Sequence, residues 1–129
     1  MRILGISGSL RRGSHNLTLL RAAATQLPPD AELEEYRDLA AIPGYNEDLD
    51  TAGAPAVVSS LRQAIATADA VIIATPEYNS SVPGALKNAL DWASRPWPND
   101  SLRGKPVSVI GASAGVFGAV WAQAELRKS

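Results

Sequence analysis

Nine residues near the amino terminus, Gly8 to Asn16 (GSLRRGSHN), pack two arginines, the hydroxyls of Ser9 and Ser14 and the amide of Asn16 into one glycine-bounded loop. Such a loop suits an anion. If it opens a helix, the unpaired backbone N–H groups of the first turn and the helix dipole add to the side-chain donors. The spacing is neither the G-x-G-x-x-G of dinucleotide sites nor G-x-x-x-x-G-K-[ST]. A hydroxyl and arginine cradle suits a terminal phosphate monoester, with its three acceptor oxygens, so the loop reads as the phosphate site of a mononucleotide. The competing reading is a plain helix start, with Ser14 as cap and Arg11 and Arg12 solvated.

A second stretch, Thr75 to Trp92 (TPEYNSSVPGALKNALDW), follows an apolar run. Pro76 ends that run, and Pro83 fits the first turn of a helix with Ser81 as its cap. Glu77, Tyr78 and Asn79 are then held between two rigid elements, where backbone groups and an aromatic surface would suit a planar heterocycle. The alternative is a turn whose tyrosine packs on the sheet and whose glutamate faces water. A third loop, SAGVFG, starts at Ser113.

The elements that position these loops show in the hydrophobic periodicity. Arg2 to Ser7 is a short strand, and Leu17, Leu20, Ala24 and Leu27 then recur at helical spacing until Pro28 and Pro29. Ala31 to Arg37 reads as an exposed edge strand, Val58 to Ala68 as a helix, and Ala70 to Thr75 (AVIIAT) as a strand covered on both faces. A helix from Val82 to Ala93, a strand from Pro106 to Ala112 and a helix from Val116 to Lys128 complete the order βαβαβαβα. In the last helix Phe117, Val120, Trp121 and Ala124 share one face. This order implies one α/β domain over residues 1–129, with a parallel sheet, right-handed crossovers and a three-layer α/β/α arrangement. Ligands of such sheets sit outside the carboxyl ends of the strands, where all three polar loops fall.

Composition excludes several classes. Twelve basic and thirteen acidic residues leave a formal charge of −1, so no global positive field draws the chain to nucleic acid or an anionic membrane. There is no cysteine, hence no disulfide, thiolate metal site or cysteine nucleophile. No apolar stretch approaches the roughly 20 residues that span a bilayer, and MRILGISGS is too short and too glycine-rich for a secretory signal, so a cytoplasmic protein is expected. No metal-ligand cluster and no Ser/His/Asp arrangement is present. Asp48, Asp50, Asp91 and Glu125 read as solvated helix or loop charges, and no catalytic acid, base or nucleophile is assigned.

Taken together, GSLRRGSHN and TPEYNSSVPGALKNALDWASRP strongly resemble the NADPH-dependent FMN reductase family, the flavodoxin-like group that includes quinone, chromate and azo-dye reductases. PGYNEDL and SVIGASAGVFGA strengthen the likeness, which runs over essentially the whole chain. The resemblance implies a flavodoxin-like doubly wound sheet that binds FMN and oxidises NADPH or NADH. It places Ser9, Arg11, Ser14 and Asn16 on the FMN phosphate, with backbone donors from His15, Leu17 and Thr18. Pro76, Glu77, Tyr78, Asn79 and Ser80 would border the isoalloxazine ring, and Ser113 and Gly115 would approach it from the other side. Arg12 is left as steering charge. The cofactor, rather than an acid and base pair, carries the reaction, and a quinone, azo dye, metal oxyanion or free flavin is the acceptor. A noncatalytic electron carrier of flavodoxin type is the alternative, set against this near-neutral chain and its two loop arginines.

The resemblance also implies a homodimer or homotetramer with the flavin near a subunit boundary. Trp92, Trp97 and Trp121 could serve that contact, or Trp92 and Trp121 could pack within the subunit. Lys87 and Asp91, four apart in the less favourable order, are expected to interact weakly. Related chains continue for roughly another strand and helix after the segment resembling WAQAELRKS, so the expected fold lacks its last strand and helix. The strand Pro106 to Ala112 then becomes an apolar edge.

Overall fold

The structure, a computed structural model, describes residues Met1–Ser129. Strands β1 (Arg2–Ser7), β2 (Glu32–Tyr36), β3 (Ala70–Ala74) and β4 (Val107–Ile110) alternate with helices α1 (His15–Ala24), α2 (Ala56–Thr67), α3 (Gly84–Ala93) and α4 (Val120–Leu126). The sheet order is β2-β1-β3-β4 and every pairing is parallel. The chain leaves β1 toward one side and returns to β3 on the other. This reversal opens a crevice at the carboxyl ends of β1 and β3.

Alternation along the strands assigns the two faces. Leu4 and Ile6 of β1 and Val71 and Ile73 of β3 point into a core with Val58, Leu61 and Ile65 of α2 and Leu86, Ala89 and Trp92 of α3. Gly5 points the other way, under α1. A Cβ there would lie 2.7 Å from Leu33 Cδ2 and 3.0 Å from Leu20 Cδ2, so the missing side chain lets α1 and β2 close onto β1. The edge strand β2 keeps its alternate glutamates outward. Arg21 of α1 grips Glu35 of β2 through two hydrogen bonds of 2.6 and 3.1 Å, tying the helix to that edge.

Several boundaries differ from the periodicity. Helix α1 stops at Ala24, before Leu27, because Thr25 folds its hydroxyl back onto the Ala22 carbonyl. Helix α3 starts at Gly84 with Pro83 at its N-cap, and Ser81 belongs to the preceding turn. Helix α4 starts at Val120 rather than Val116. Gly118 and Ala119 adopt left-handed φ values of 57° and 62°, which end the approach loop and rotate the helix. As a result Ala119, Ala122 and Leu126 are buried, whereas the expected apolar face of Phe117, Val120 and Trp121 is exposed.

The tryptophans separate cleanly. Trp92 is fully buried and donates its indole N–H to the Pro43 carbonyl at 2.8 Å, whereas Trp97 is 77% exposed. Trp121 does not pack on Trp92; it meets Phe117 edge-on at 5.0 Å. Tyr45 stands edge-on to Trp92, and Asn88 accepts from the Tyr45 N–H while donating to the Pro43 carbonyl. Arg62 lies over the Trp92 ring and pairs with Asp50 at 2.8 Å, so Asp50 is a partnered, largely buried carboxylate rather than a solvated one. Through these contacts α2 and α3 fix the long loop between β2 and α2.

Candidate functional site

Serine 14 sets the first loop. Its Oγ accepts from the Leu17 N–H at 3.2 Å and caps α1. The N–H groups of Arg12, Gly13, Ser14, His15 and Asn16 point to no protein acceptor. Ser14 is therefore a cap, as the plain reading held, and the capped helix still presents a run of free donors. Ser9 Oγ accepts from the Arg11 N–H at 3.4 Å, which curls the loop. The Arg11 guanidinium lies over Gly13, within 3.6 Å of where a Cβ would stand. No acidic side chain pairs with Arg11 or Arg12.

Other predicted members are engaged differently. The Thr18 hydroxyl donates to the Ser14 carbonyl at 3.2 Å and so faces its own helix. Asn16 is 3% exposed. Its amide donates to the Ala112 carbonyl at 3.0 Å and accepts from the Ala112 N–H at 2.8 Å. Asn16 thus clasps the first loop to the end of β4, and its backbone N–H, not its side-chain amide, is what remains for an anion.

The second loop is a tight hairpin turn that periodicity did not reveal. Tyr78 and Ser81 exchange both backbone hydrogen bonds at 3.1 Å. Asn79 and Ser80 between them have φ values of 52° and 58°, the pattern of a type I′ turn. Non-glycine residues in that region cost of order 1 kcal/mol or more each, so tertiary contacts must hold the turn. It carries Tyr78, Asn79 and Ser80 out into solvent, above a buried Pro76. Glu77 turns the other way, accepting from the N–H groups of Trp121 and Ala122 at 2.8 and 3.0 Å. Ser81 donates to Glu125 at 2.6 Å, so Glu125 too is partnered.

The third loop approaches the same crevice. Gly111 follows β4, and a Cβ there would stand 2.9 Å from the Thr75 carbonyl. Only a bare backbone lets the ends of β3 and β4 close this far. Beyond it, Ser113 Oγ accepts from the Gly115 N–H at 3.0 Å and both residues are exposed.

The residues present fit a phosphorylated planar ligand. Ser7, at the carboxyl end of β1, has a buried hydroxyl with no partner within the protein. It closes β1, the strand from which the loop to α1 departs. Buried polar atoms are nearly always satisfied, so an orphan at a ligand crevice is a mark of a missing partner. Gly8 adds close packing beneath, since a Cβ there would fall 2.8 Å from Leu86 Cδ2. An apolar groove of about 560 Å³ between α3, β4 and α4 lies on the helical face of the sheet, away from this crevice.

Comparison with known proteins decides the class. The profile of the NADPH-dependent FMN reductase family matches residues 1–129. The chain belongs to that family. It is 50% identical over 129 residues to an NAD(P)H-dependent FMN reductase of Pseudomonas aeruginosa, covering all of this chain and 69% of the relative. It is 43% identical to a quinone reductase of Escherichia coli K12, covering 99% of this chain and 68% of that protein. Among solved structures, the flavoenzyme NAD(P)H:(acceptor) oxidoreductase FerB of Paracoccus denitrificans superposes with a TM-score of 0.91. The two are 42% identical, over 98% of this chain and 69% of that one. The expected flavodoxin-like α/β fold and the expected reductase class both stand. No helix is long and apolar enough to cross a membrane.

Proposed function

We propose that this member of the family is an FMN-dependent NAD(P)H oxidoreductase acting on quinone-type acceptors, with FMN seated across the three loops. The observation that supports the seating is that the orphaned Ser7 hydroxyl, the unpaired Arg11 and the free N–H groups of residues 12–16 all fall on the one short connection from the end of β1 into α1. The phosphate belongs there, held by Ser9, Arg11 and Ser14 together with the backbone of His15, Asn16, Leu17 and Thr18. The ring is bordered by Pro76 and the turn at Tyr78, Asn79 and Ser80 on one side and by Ser113 and Gly115 on the other. Glu77 supports this border from behind.

FMN held there would supply the redox chemistry, two-electron transfer from a nicotinamide to the acceptor. The chain's own work is binding and orientation. The helix N-terminus and Arg11 neutralise the phosphate, while buried Pro76 gives the crevice an apolar floor that excludes water from one side. The exposed Tyr78 presents an aromatic face to a planar substrate entering from solvent. No side chain is required as nucleophile, and the exposed His15 sits at the phosphate end rather than beside the reacting ring.

The chain is further proposed to act in the cytoplasm and as a homodimer or homotetramer. The exposed Phe117, Val120 and Trp121 near the crevice support an interface there. Native mass spectrometry of the purified protein tests cofactor and subunit number together, with one FMN per chain and two or four chains expected. Arg11→Ala should weaken FMN binding by about 1.5 to 3 kcal/mol, the scale of a hydrogen bond to a charged group. Unaltered affinity on fluorescence titration would remove Arg11 from the site.

A further inference from the structure

Helix α4 has no cap of its own. Its N-cap position is Ala119, a residue with no side-chain acceptor, held at φ 62°. The oxygen that serves its first turn comes from Glu77, 44 residues away, whose Oε2 accepts from both Trp121 and Ala122. One turn further along, Glu125 accepts from Ser81 at 2.6 Å. Two hydrogen-bonded links therefore join α4 to the two ends of the segment that holds the strained Tyr78–Ser81 turn.

These links have a mechanical consequence. In the proposed seating the segment at 76–81 forms one wall of the crevice, and the loop at 113–119, which runs directly into α4, forms the other. A carboxylate at a helix start is favoured by the dipole and by two unpaired N–H groups, so the Glu77 contact resists separation of the walls. We infer that Glu77 is a positioning residue that sets the width of the substrate cleft by capping α4 from the opposite wall. It thereby holds the turn carrying Tyr78 against the segment carrying Phe117 and Trp121. The phosphate loop is tied to the base of the second wall by Asn16, through Ala112. The inference rests on the proposed seating of FMN and substrate between these walls.

Glu77→Ala and Glu77→Gln separate this role from others, since glutamine keeps an acceptor oxygen while losing the charge. In Glu77→Ala, amide hydrogen exchange at Trp121 and Ala122 should accelerate about tenfold, while core amides of β1 and β3 remain protected. With FMN at saturation, KM for a benzoquinone should rise about fivefold to tenfold with kcat changed less. Glu77→Gln should restore both the exchange rates and KM to near the parent values. Unchanged exchange and KM in Glu77→Ala, or a Gln variant as impaired as the Ala one, would overturn the inference. If Glu77→Ala does not fold, Ser81→Ala takes its place, and it should move exchange at Trp121 and KM in the same direction by a smaller factor; no change would equally overturn the coupling. Faster exchange in a protein that takes up no FMN would leave the coupling standing and sink the proposed function instead.

Discussion

Asn16 and Ala112, 96 residues apart, form a complete reciprocal pair: the Asn16 amide donates to the Ala112 carbonyl at 3.0 Å and accepts from its N–H at 2.8 Å. The start of α1 is thereby fixed to the end of β4, and two of the three crevice loops become one body. Asn16→Ala leaves both Ala112 groups without a partner. Stability should fall by about 1 to 3 kcal/mol, the cost of unsatisfied groups at a buried site. A urea midpoint that drops without a change in slope would show it; an unmoved midpoint would mean water replaces the clasp without cost.

Gly8 is a packing requirement, set by its neighbours rather than by a special backbone angle. Its Cβ would meet Leu86 Cδ2 at 2.8 Å and Pro76 Cδ at 3.3 Å. Gly8→Ala should therefore destabilise by about 1 to 3 kcal/mol through overpacking, and push Pro76 toward the crevice. Thermal unfolding together with FMN titration checks this, with both stability and affinity expected to fall.

Trp92 ties α3 to the loop after β2 through its N–H to Pro43 and its edge contact with Tyr45. Phenylalanine keeps most of the buried surface but loses the donor. Trp92→Phe should lose about 1 to 2 kcal/mol, and exchange of the Tyr45 amide, which donates to Asn88, should quicken. Protection at Tyr45 equal to that of the parent would show that Asn88 alone holds the loop.

Two titrations should shape the stability curve. The hydrogen bond from Arg21 holds the Glu35 carboxyl below its ordinary range. The stabilising contribution is thus whole above the unfolded value, about 4.3, and disappears as pH falls through the folded one. Glu35→Gln should flatten the acid limb of unfolding free energy, modestly, because Arg21 is exposed and screened. Burial, with a smaller push from Asp38, raises the Tyr36 hydroxyl. Folding there favours the neutral phenol, so its contribution is present below about pH 10 and is lost as pH rises beyond. Tyr36→Phe should extend stability into alkaline solution.

Much of this molecule was legible in the chain because it depends on local rules. The β-branched run at Ala70–Ala74 made a buried strand, Ser14 capped α1, and the polar loops fell after strands, where a parallel sheet gathers them. The paired motifs carried the family, and with it the cofactor class. Side-chain partners were not legible. Glu77, expected beside a ring, places its carboxylate on the first turn of α4, and Asn16, expected on a phosphate, places its side-chain amide on the Ala112 backbone; neither contact shows in the chain. Asp50 was expected in water and is instead held, largely buried, by Arg62, whereas Glu125 is exposed as expected and also accepts from Ser81.

What the sequence by itself determined was the alternation of elements, the positions of the three loops and their chemical content, because periodicity and turn residues act over a few positions. Only the tertiary structure decided which loop residue meets which. Those pairings span 44 to 96 residues and depend on how the crossovers bring strand ends together. The face of α4 shows the same division. Its apolar residues were visible in the chain, but the left-handed step at Gly118 and Ala119 turned Phe117 and Trp121 outward, and no helical periodicity encodes that rotation.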